Sequence, residues 1–315
     1  MNPVRSAKAS KGGFLKDERR KIIQYKDLLP LFLIVIAYYV IFKYVPMYGV
    51  TLAFRKFQLK KGILNSPWVG LKWFRQVFST PSFWEVIRNT ITISLMRIVF
   101  GFPAPIILAL LLNEVNEGRF KKTVQTITYL PHFLSWVVMG TMFQRFLSPS
   151  TGPINIIISA LGGKPIFFLG QASTYVPTIV VLDIWAGVGW GSIIYLAAIS
   201  GVSPELYESA VLDGATRIQK MWYITIPSIM PTIIVLFIMR MGSILDGGFD
   251  QIFNTYNDAV LSRADIIDTY VYRRGLESMQ YEYSSAVSLF KTVIGFAFVF
   301  GTNMLARRVG ESSLW

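Results

Sequence analysis

Residues Leu28–Val45 read LLPLFLIVIAYYVIFKYV, an apolar run with one charge, Lys43, near its end. As a helix rising 1.5 Å per residue, this run is roughly 27 Å long, about the hydrocarbon thickness of a bilayer. A helix apolar on every side must be enclosed, either by other protein or by lipid. The composition favours lipid: 53% of the 315 residues are hydrophobic and 16% are charged, against about 25% charged in soluble domains. The chain reads as an all-α membrane protein.

Six runs are long enough to cross: 28–45, 88–112, 124–147, 174–199, 226–245 and 285–305. Several contain glycine and proline, as in FGFPAPIILALLL and WAGVGWGSIIYLAA. Membrane helices tolerate both when neighbouring helices satisfy the backbone. Gly187, Gly189 and Gly191 permit close helix approach, which predicts a bundle. With the N-terminal tail placed inside, fifteen lysines and arginines of the non-spanning segments fall on its side and ten on the other. Both termini are therefore expected in the cytoplasm.

Residues 1–27 then form a basic cytoplasmic tail, 28–305 a six-span domain and 306–315 a short cytoplasmic tail. The first charged region is too long, and the apolar run after it too extended, for a cleaved signal peptide. No small-x-small site follows, so the first span is expected to be retained. The net charge of +13 fits anionic head groups and cytoplasmic helix ends, and no nucleic-acid partner is expected. There is no cysteine, which excludes disulfides and thiolate chemistry.

The outward loops are more than connectors. Loop 46–87 carries Trp68, Trp73 and Trp84 with Phe54, Phe57, Phe74 and Phe83, a pattern that predicts an amphipathic interfacial helix. Loop 246–284 has seven acidic residues against three basic, and its length suffices to fold over the bundle or to meet a partner.

The segment 203–227, between spans four and five, has the signals of two short helices. Ser203 suits an N-cap, Pro204 the first helical position and Glu205 the first turn. Tyr207, Ala210 and Val211 share one face. Gly214 can take the positive φ that ends a helix, and Asp213 can cap the next. There Ile218, Met221 and Trp222 line up, and Pro227 and Pro231 mark the start of span five. A helical loop resting on head groups would satisfy this periodicity. A knob received by a groove on another protein would satisfy it too. Glu205, Glu208 and Asp213 facing an anionic leaflet, and the small Ser209, Ala210, Gly214 and Ala215, favour the second reading.

The run Glu208-Ser209-Ala210-x-x-Asp213-Gly214-Ala215, followed by Ile224-x-Ile226-Pro227, resembles the EAA loop of permease subunits in binding-protein-dependent ABC importers. The family pattern is roughly E-A-A-x-x-D-G-A-x5-F-x-x-I-x-L-P; Ser209, Met221 and Ile226 stand where it has Ala, Phe and Leu. GGFDQIFNTYNDAVLSRADIIDTYVYRRGL and NMLARRVGESSLW resemble the branch associated with oligosaccharides and polysaccharide fragments, the LplB-like type. The likeness runs from the first span onward and leaves out the basic first 20 residues.

This resemblance implies a type I ABC importer permease fold with six transmembrane helices and a cytoplasmic coupling helix docked in a cleft of an ATPase. It implies a second permease as heterodimeric partner, a cytoplasmic ATPase dimer, an extracellular solute-binding protein and a saccharide substrate. The setting is a bacterial inner or plasma membrane. Coupling then falls to Glu208, Ser209, Ala210, Asp213, Gly214, Ala215 and Pro227, with Glu208 as the charged contact to the ATPase. No G-x-x-x-x-G-K-[S/T] run occurs in the chain. ATP and magnesium are thus expected on the partner ATPase, with no cofactor, metal or catalytic residue here.

A sugar path through a bilayer needs aromatic faces and polar groups near the midplane. The candidates are Trp136 in span three, Asp183, Gly187 and Trp190 in span four, and Arg240, Ser243, Ile244 and Gly247 on one face of span five. Gly187, Trp190, Arg240 and Ser243 stand first, because in the family the core spans around the coupling loop line the pathway. The same residue types have structural uses. Tryptophans belong to interfacial belts, and an intramembrane arginine pairs with an acid such as Asp183. Arg97 reads as paired or snorkelling, and the lone His132 as a packing or hydrogen-bonding residue.

Amino acids, phosphate or metal ions are alternative cargoes for the same architecture. A membrane-embedded enzyme would need HExxH, GxSxG or paired intramembrane aspartates, and the sequence has none. Six spans without an evident inverted repeat weigh against an autonomous secondary transporter.

Overall fold

The structure, a computed structural model, describes residues 29–308. The tail expected over 1–27 lies outside the described residues, as does 309–315 of the expected C-terminal tail. Among the described residues, five helices are long and apolar enough to cross a membrane: Pro30–Phe54 (α1), Pro81–Glu114 (α3), Ala172–Ser200 (α7), Arg217–Gly242 (α9) and Tyr281–Arg308 (α12). Shorter helices are Lys72–Ser79 (α2), Arg119–Tyr129 (α4), Trp136–Phe146 (α5), Pro153–Ala160 (α6), Pro204–Leu212 (α8), Phe249–Phe253 (α10) and Ile267–Tyr272 (α11). Among the described residues, the one β-bridge pairs Arg55 with Trp68. The chain divides into two units at Leu52. In the described part of the first, Leu31, Phe32, Leu33 and Ile34 are exposed, a surface suited to lipid.

The second unit is held by close packing, since burial between helices in lipid gains little hydrophobic free energy. Helix α7 is its centre and lies along α3. A Cβ on Gly189 would overlap the Thr128 carbonyl, and one on Gly191 would lie 3.0 Å from Pro105. Ala109 and Leu110 of α3, Tyr195 and Ile199 of α7 and Ile229 of α9 form one buried cluster. Ile93, Tyr175, Ile179, Ile252 and Ile266 form a second. A third joins Val77, Phe83, Val86, Tyr270, Tyr283 and Val287. The interfacial helix expected in loop 46–87 is α2, with Val77 buried and Arg75 exposed. It is anchored where Trp73 Nε1 donates to the Arg55 carbonyl at 2.7 Å.

Three expected spans have different bounds. The second begins at Pro81, which takes the first helical position after Thr80. The third, expected unbroken over 124–147, is interrupted: α4 ends, a 3-10 turn covers Leu130–Phe133, and Leu134 and Ser135 are extended. Pro131 has no N–H to continue the ladder, and Ser135 restarts the helix by accepting from the Val138 N–H at 3.4 Å. The fifth, expected over 226–245, runs from Arg217 and stops at Gly242. The second short helix expected before Pro227 is therefore the first turn of α9 itself.

Three of the long helices contain a π turn immediately before a proline region, which absorbs the missing donor; in α1 it is Val40–Tyr44, ahead of Pro46. In α3 the turn is Arg97–Gly101, with Phe102 N donating to the Arg97 carbonyl at 3.0 Å ahead of Pro103. In α9 it is Met221–Thr225, ahead of Pro227.

Loop 246–284 folds over the bundle as short helices. Side chains of α3 receive it: Asn89 Nδ2 donates to Ser262 O at 3.0 Å, and Thr90 Oγ1 accepts from Ile267 N at 3.0 Å. Lys291 of α12 joins in by pairing with Asp246 and with Asp268, the latter at 2.6 Å. Within the loop, Asp265 accepts from Thr269 Oγ1 at 2.8 Å and from Arg273 Nη2 at 2.5 Å. Burial opposes the Arg273 charge, but the hydrogen bond and charge of Asp265 outweigh it and raise the guanidinium pKa above its usual value. Asp265→Asn removes that charge while keeping the shape. The expected loss is about 1–2 kcal/mol, seen as a lower apparent Tm of the purified protein in detergent.

Candidate functional sites: a helical hairpin and a polar groove

The hairpin is built from α8 and the start of α9. Ser203 occupies the N-cap position of α8 without a side-chain cap bond, Pro204 the first helical position and Glu205 the first turn. The helix ends in a Schellman motif: Ala215 N donates to Ala210 O at 2.9 Å and Gly214 N to Val211 O at 3.1 Å. Gly214 has φ +76°, and the space around its missing Cβ is open. The cap of the next helix is Thr216, not Asp213. Thr216 Oγ1 accepts from Gln219 N at 3.3 Å while Gln219 Oε1 accepts from Thr216 N at 2.8 Å, a reciprocal capping box. Asp213 instead closes α8.

The two arms are fastened by Tyr207 Oη and Thr225 Oγ1, 2.9 Å apart. Glu208, Ser209, Asp213 and Gly214 are exposed, with Ala210 and Ala215 half-buried. Pro227 lies in α9 beyond the π turn. Leu212, at 89% exposed, and Ile218 form an apolar tip beside Gly214. Sequence reasoning left Leu212 out; a leucine directly before an acidic C-cap is the signal for it. Such a tip is rigid and charged at its flanks, and it presents apolar surface away from its own bundle.

At membrane depth, two hollows share a wall. One, of about 470 Å³, lies among α3, α7 and α9 and is lined by Asp183, Gly187, Arg240 and Ser243. The other, of about 500 Å³, is lined by His132, Ser135, Trp136, Asp250 and Asn254, and again by Asp183 and Gly187. Gly187 has open space where a Cβ would stand. The interruption of the third span at 130–135 and the end of α9 both adjoin these hollows. Irregular backbone at this depth is tolerated where it lines a cavity or is buried in protein.

Behind the wall, Arg97 is buried and anchors the site. Its Nε lies 3.6 Å from Asp183 Oδ2, Nη1 donates to Gly247 O at 2.7 Å, and Nη2 donates to Gln251 Oε1. Gln251 Nε2 in turn donates to Ile179 O at 2.7 Å. Gly248, at φ +80°, presses on the guanidinium; a Cβ there would sit 2.8 Å from Cζ.

Of the sequence candidates, Trp136, Asp183, Gly187, Arg240 and Ser243 line the hollows. Three do not. Trp190 stacks on His132 with centroids 4.6 Å apart, Ile244 is buried in the apolar core, and Gly247 presents its carbonyl to Arg97. The single face expected for 240–247 does not form, because the helix stops at Gly242. Asp250 and Asn254 were missed because they belong to a segment read as an outer loop. Among the described residues, no group of three or more His, Asp or Glu is gathered to hold a metal ion.

A multi-pass bundle with interrupted helices converging on a polar wall, and a rigid hairpin projecting from one end, is a solute-translocating membrane protein. Residues 27–311 match the family described as the binding-protein-dependent transport system inner membrane component. The chain belongs to that family and is a transport permease. It is 45% identical to protein LplB of Bacillus subtilis over 88% of this chain and 87% of that one. It is 42% identical to the polygalacturonan/rhamnogalacturonan transport system permease YteP of the same organism, over 96% and 95%. A crystallised bacterial ABC transporter that imports the acidic polysaccharide alginate superposes at a TM-score of 0.86 with 41% identity, over 95% of this chain and 99% of that chain. The alginate transporter is also solved with an alginate pentasaccharide-bound periplasmic protein.

Proposed function

We propose that this permease is one of two membrane subunits of an ATP-driven importer that brings oligosaccharides or polysaccharide fragments into a bacterial cell. The observation that carries the reading is the 41% identity to the alginate importer across 95% of the chain. A periplasmic or lipid-anchored receptor delivers the saccharide to the outer face of the inner or plasma membrane. A second permease completes the pathway, and both termini of this chain lie in the cytoplasm. A separate ATPase dimer binds ATP and magnesium and receives the hairpin 203–227. Glu208, Ser209, Ala210, Asp213, Gly214 and Ala215 form the coupling contact, and Pro227 fixes it to α9. The pathway runs past Trp136, Asp183, Gly187, Arg240 and Ser243.

The absence of native cysteine makes the test direct. Ser209→Cys or Ala215→Cys, treated with a short bifunctional reagent in native membranes, should capture a nucleotide-hydrolysing protein. The complex purified through this chain should then take up oligosaccharide in liposomes only with ATP and the receptor. Uptake by this chain alone, driven by a proton or sodium gradient, would refute the reading.

A further inference from the structure

The cations at membrane depth are not equally supplied with partners. Arg97 has Asp183, a carbonyl and an amide oxygen. Lys291 has Asp246 and Asp268. Arg240 is exposed in the groove, and among the described residues no carboxylate lies within ion-pairing distance of it. Its depth follows from the chain path. Helix α9 ends two residues later, at Gly242, and the next segment packs on Arg97, about halfway along α3. The Asp183 carboxylate in the same groove is already committed to Arg97, and Arg97 and Arg240 repel one another. Arg240 thus stands in the groove without a carboxylate of its own to pair with, an arrangement that marks functional positions in a membrane helix.

We infer that Arg240 is a specificity-determining residue that receives a carboxylate of the passing saccharide, so that the cargo is an oligosaccharide containing uronic acid. This rests on the saccharide reading above. A guanidinium matches a carboxylate in a bidentate fashion. The adjoining hollow supplies what the rest of a pyranose needs. Trp136 offers a ring face, and Asp250, Asn254 and His132 offer partners for hydroxyls. A single guanidinium suits a carboxylate monoanion better than a phosphate dianion. A basic residue in the last turn of α9 also complements the helix dipole, but the dipole alone places no demand on a side chain directed into the groove.

The test uses the full importer in liposomes, with its receptor constant in every arm, so that receptor preference cancels between variants. The probes are trigalacturonate, the same trisaccharide with its carboxyls reduced to alcohols, and a sugar phosphate. The wild type should prefer the uronide over the reduced analogue in uptake kcat/KM. Arg240→Gln should lower that ratio by about tenfold or more, the loss of one charge-assisted pair, and Arg240→Lys should keep most of it. Apparent Tm in detergent separates this from misfolding. An unchanged ratio in Arg240→Gln, or preferred uptake of the sugar phosphate, would overturn the inference. Efficient uptake of the neutral trisaccharide alone would also overturn it while leaving the saccharide reading intact. If no saccharide stimulates ATP hydrolysis, the saccharide reading falls and takes this inference with it.

Discussion

Arg97→Met will destabilise the protein by about 3 kcal/mol, near the lower end for breaking a buried ion pair. The substitution keeps much of the side-chain length and removes the donors to Gly247 and Gln251 together with the charge facing Asp183. The Asp183 side chain is 31% exposed against 4% for Arg97, so the stranded carboxylate can still hydrate, which keeps the loss at the low end. Asp183→Asn leaves the converse, a buried guanidinium with only neutral acceptors. The two residues act as a pair, so the double variant should lose less than the sum of the single losses, by roughly 1 kcal/mol or more. Denaturant unfolding of the three variants in detergent measures this cycle, and strict additivity would rule the pair out. Gly248→Ala should resemble Arg97→Met, because its new methyl meets the guanidinium at a backbone conformation alanine rarely adopts.

Gly214→Pro will abolish transport-coupled ATP hydrolysis while the membrane helices stay folded. Proline holds φ near −65°, whereas this position sits at +76°. Proline also lacks the N–H that closes α8 onto Val211 O. The capping box of α9 begins two residues later and is untouched, so the damage stops at the hairpin tip. Gly214→Ala meets no obstruction and suffers only the left-handed backbone, about 1 kcal/mol, so it should retain most activity. Receptor-stimulated ATP hydrolysis by the reconstituted complex reads both. Full stimulation in the proline variant would mean that the tip is not the coupling element.

The hairpin was legible because its signals are local. Proline at the first helical position and glycine at the left-handed stop operate within one turn of chain, and the acidic and small residues follow a fixed spacing. The extra turn of α9 was harder to see. Thr216 and Gln219 spell a capping box, but Asp213 stands three residues earlier and competes for the same role. The break in span three was signalled by Pro131 and Ser135, yet the flanking apolar residues carry a hydropathy average straight through them. At Pro81, Glu85 and Arg88 dilute the apolar average and delay the apparent start of span two. The membrane-depth wall was half legible. Asp183 and Arg240 stand out as charges in apolar runs, whereas Asp250 and Asn254 reach it only because the 246–284 segment folds back. That return depends on Asn89, Thr90 and Gln251 finding distant backbone groups, which no local pattern encodes.

Because α9 runs continuously from the hairpin tip to the groove, it would serve the proposed coupling as a lever arm with a defined flex point. Pro231, inside the helix, concentrates bending where a backbone hydrogen bond is missing, and the part from Pro231 to Gly242 extends roughly 16 Å beyond it. A swing of about 10° at Pro231 would carry the Arg240 end sideways by roughly 3 Å, enough to make or break a direct ion contact. A small angular displacement at one membrane face would thus be amplified into a discrete change of grip on the cargo at the other end.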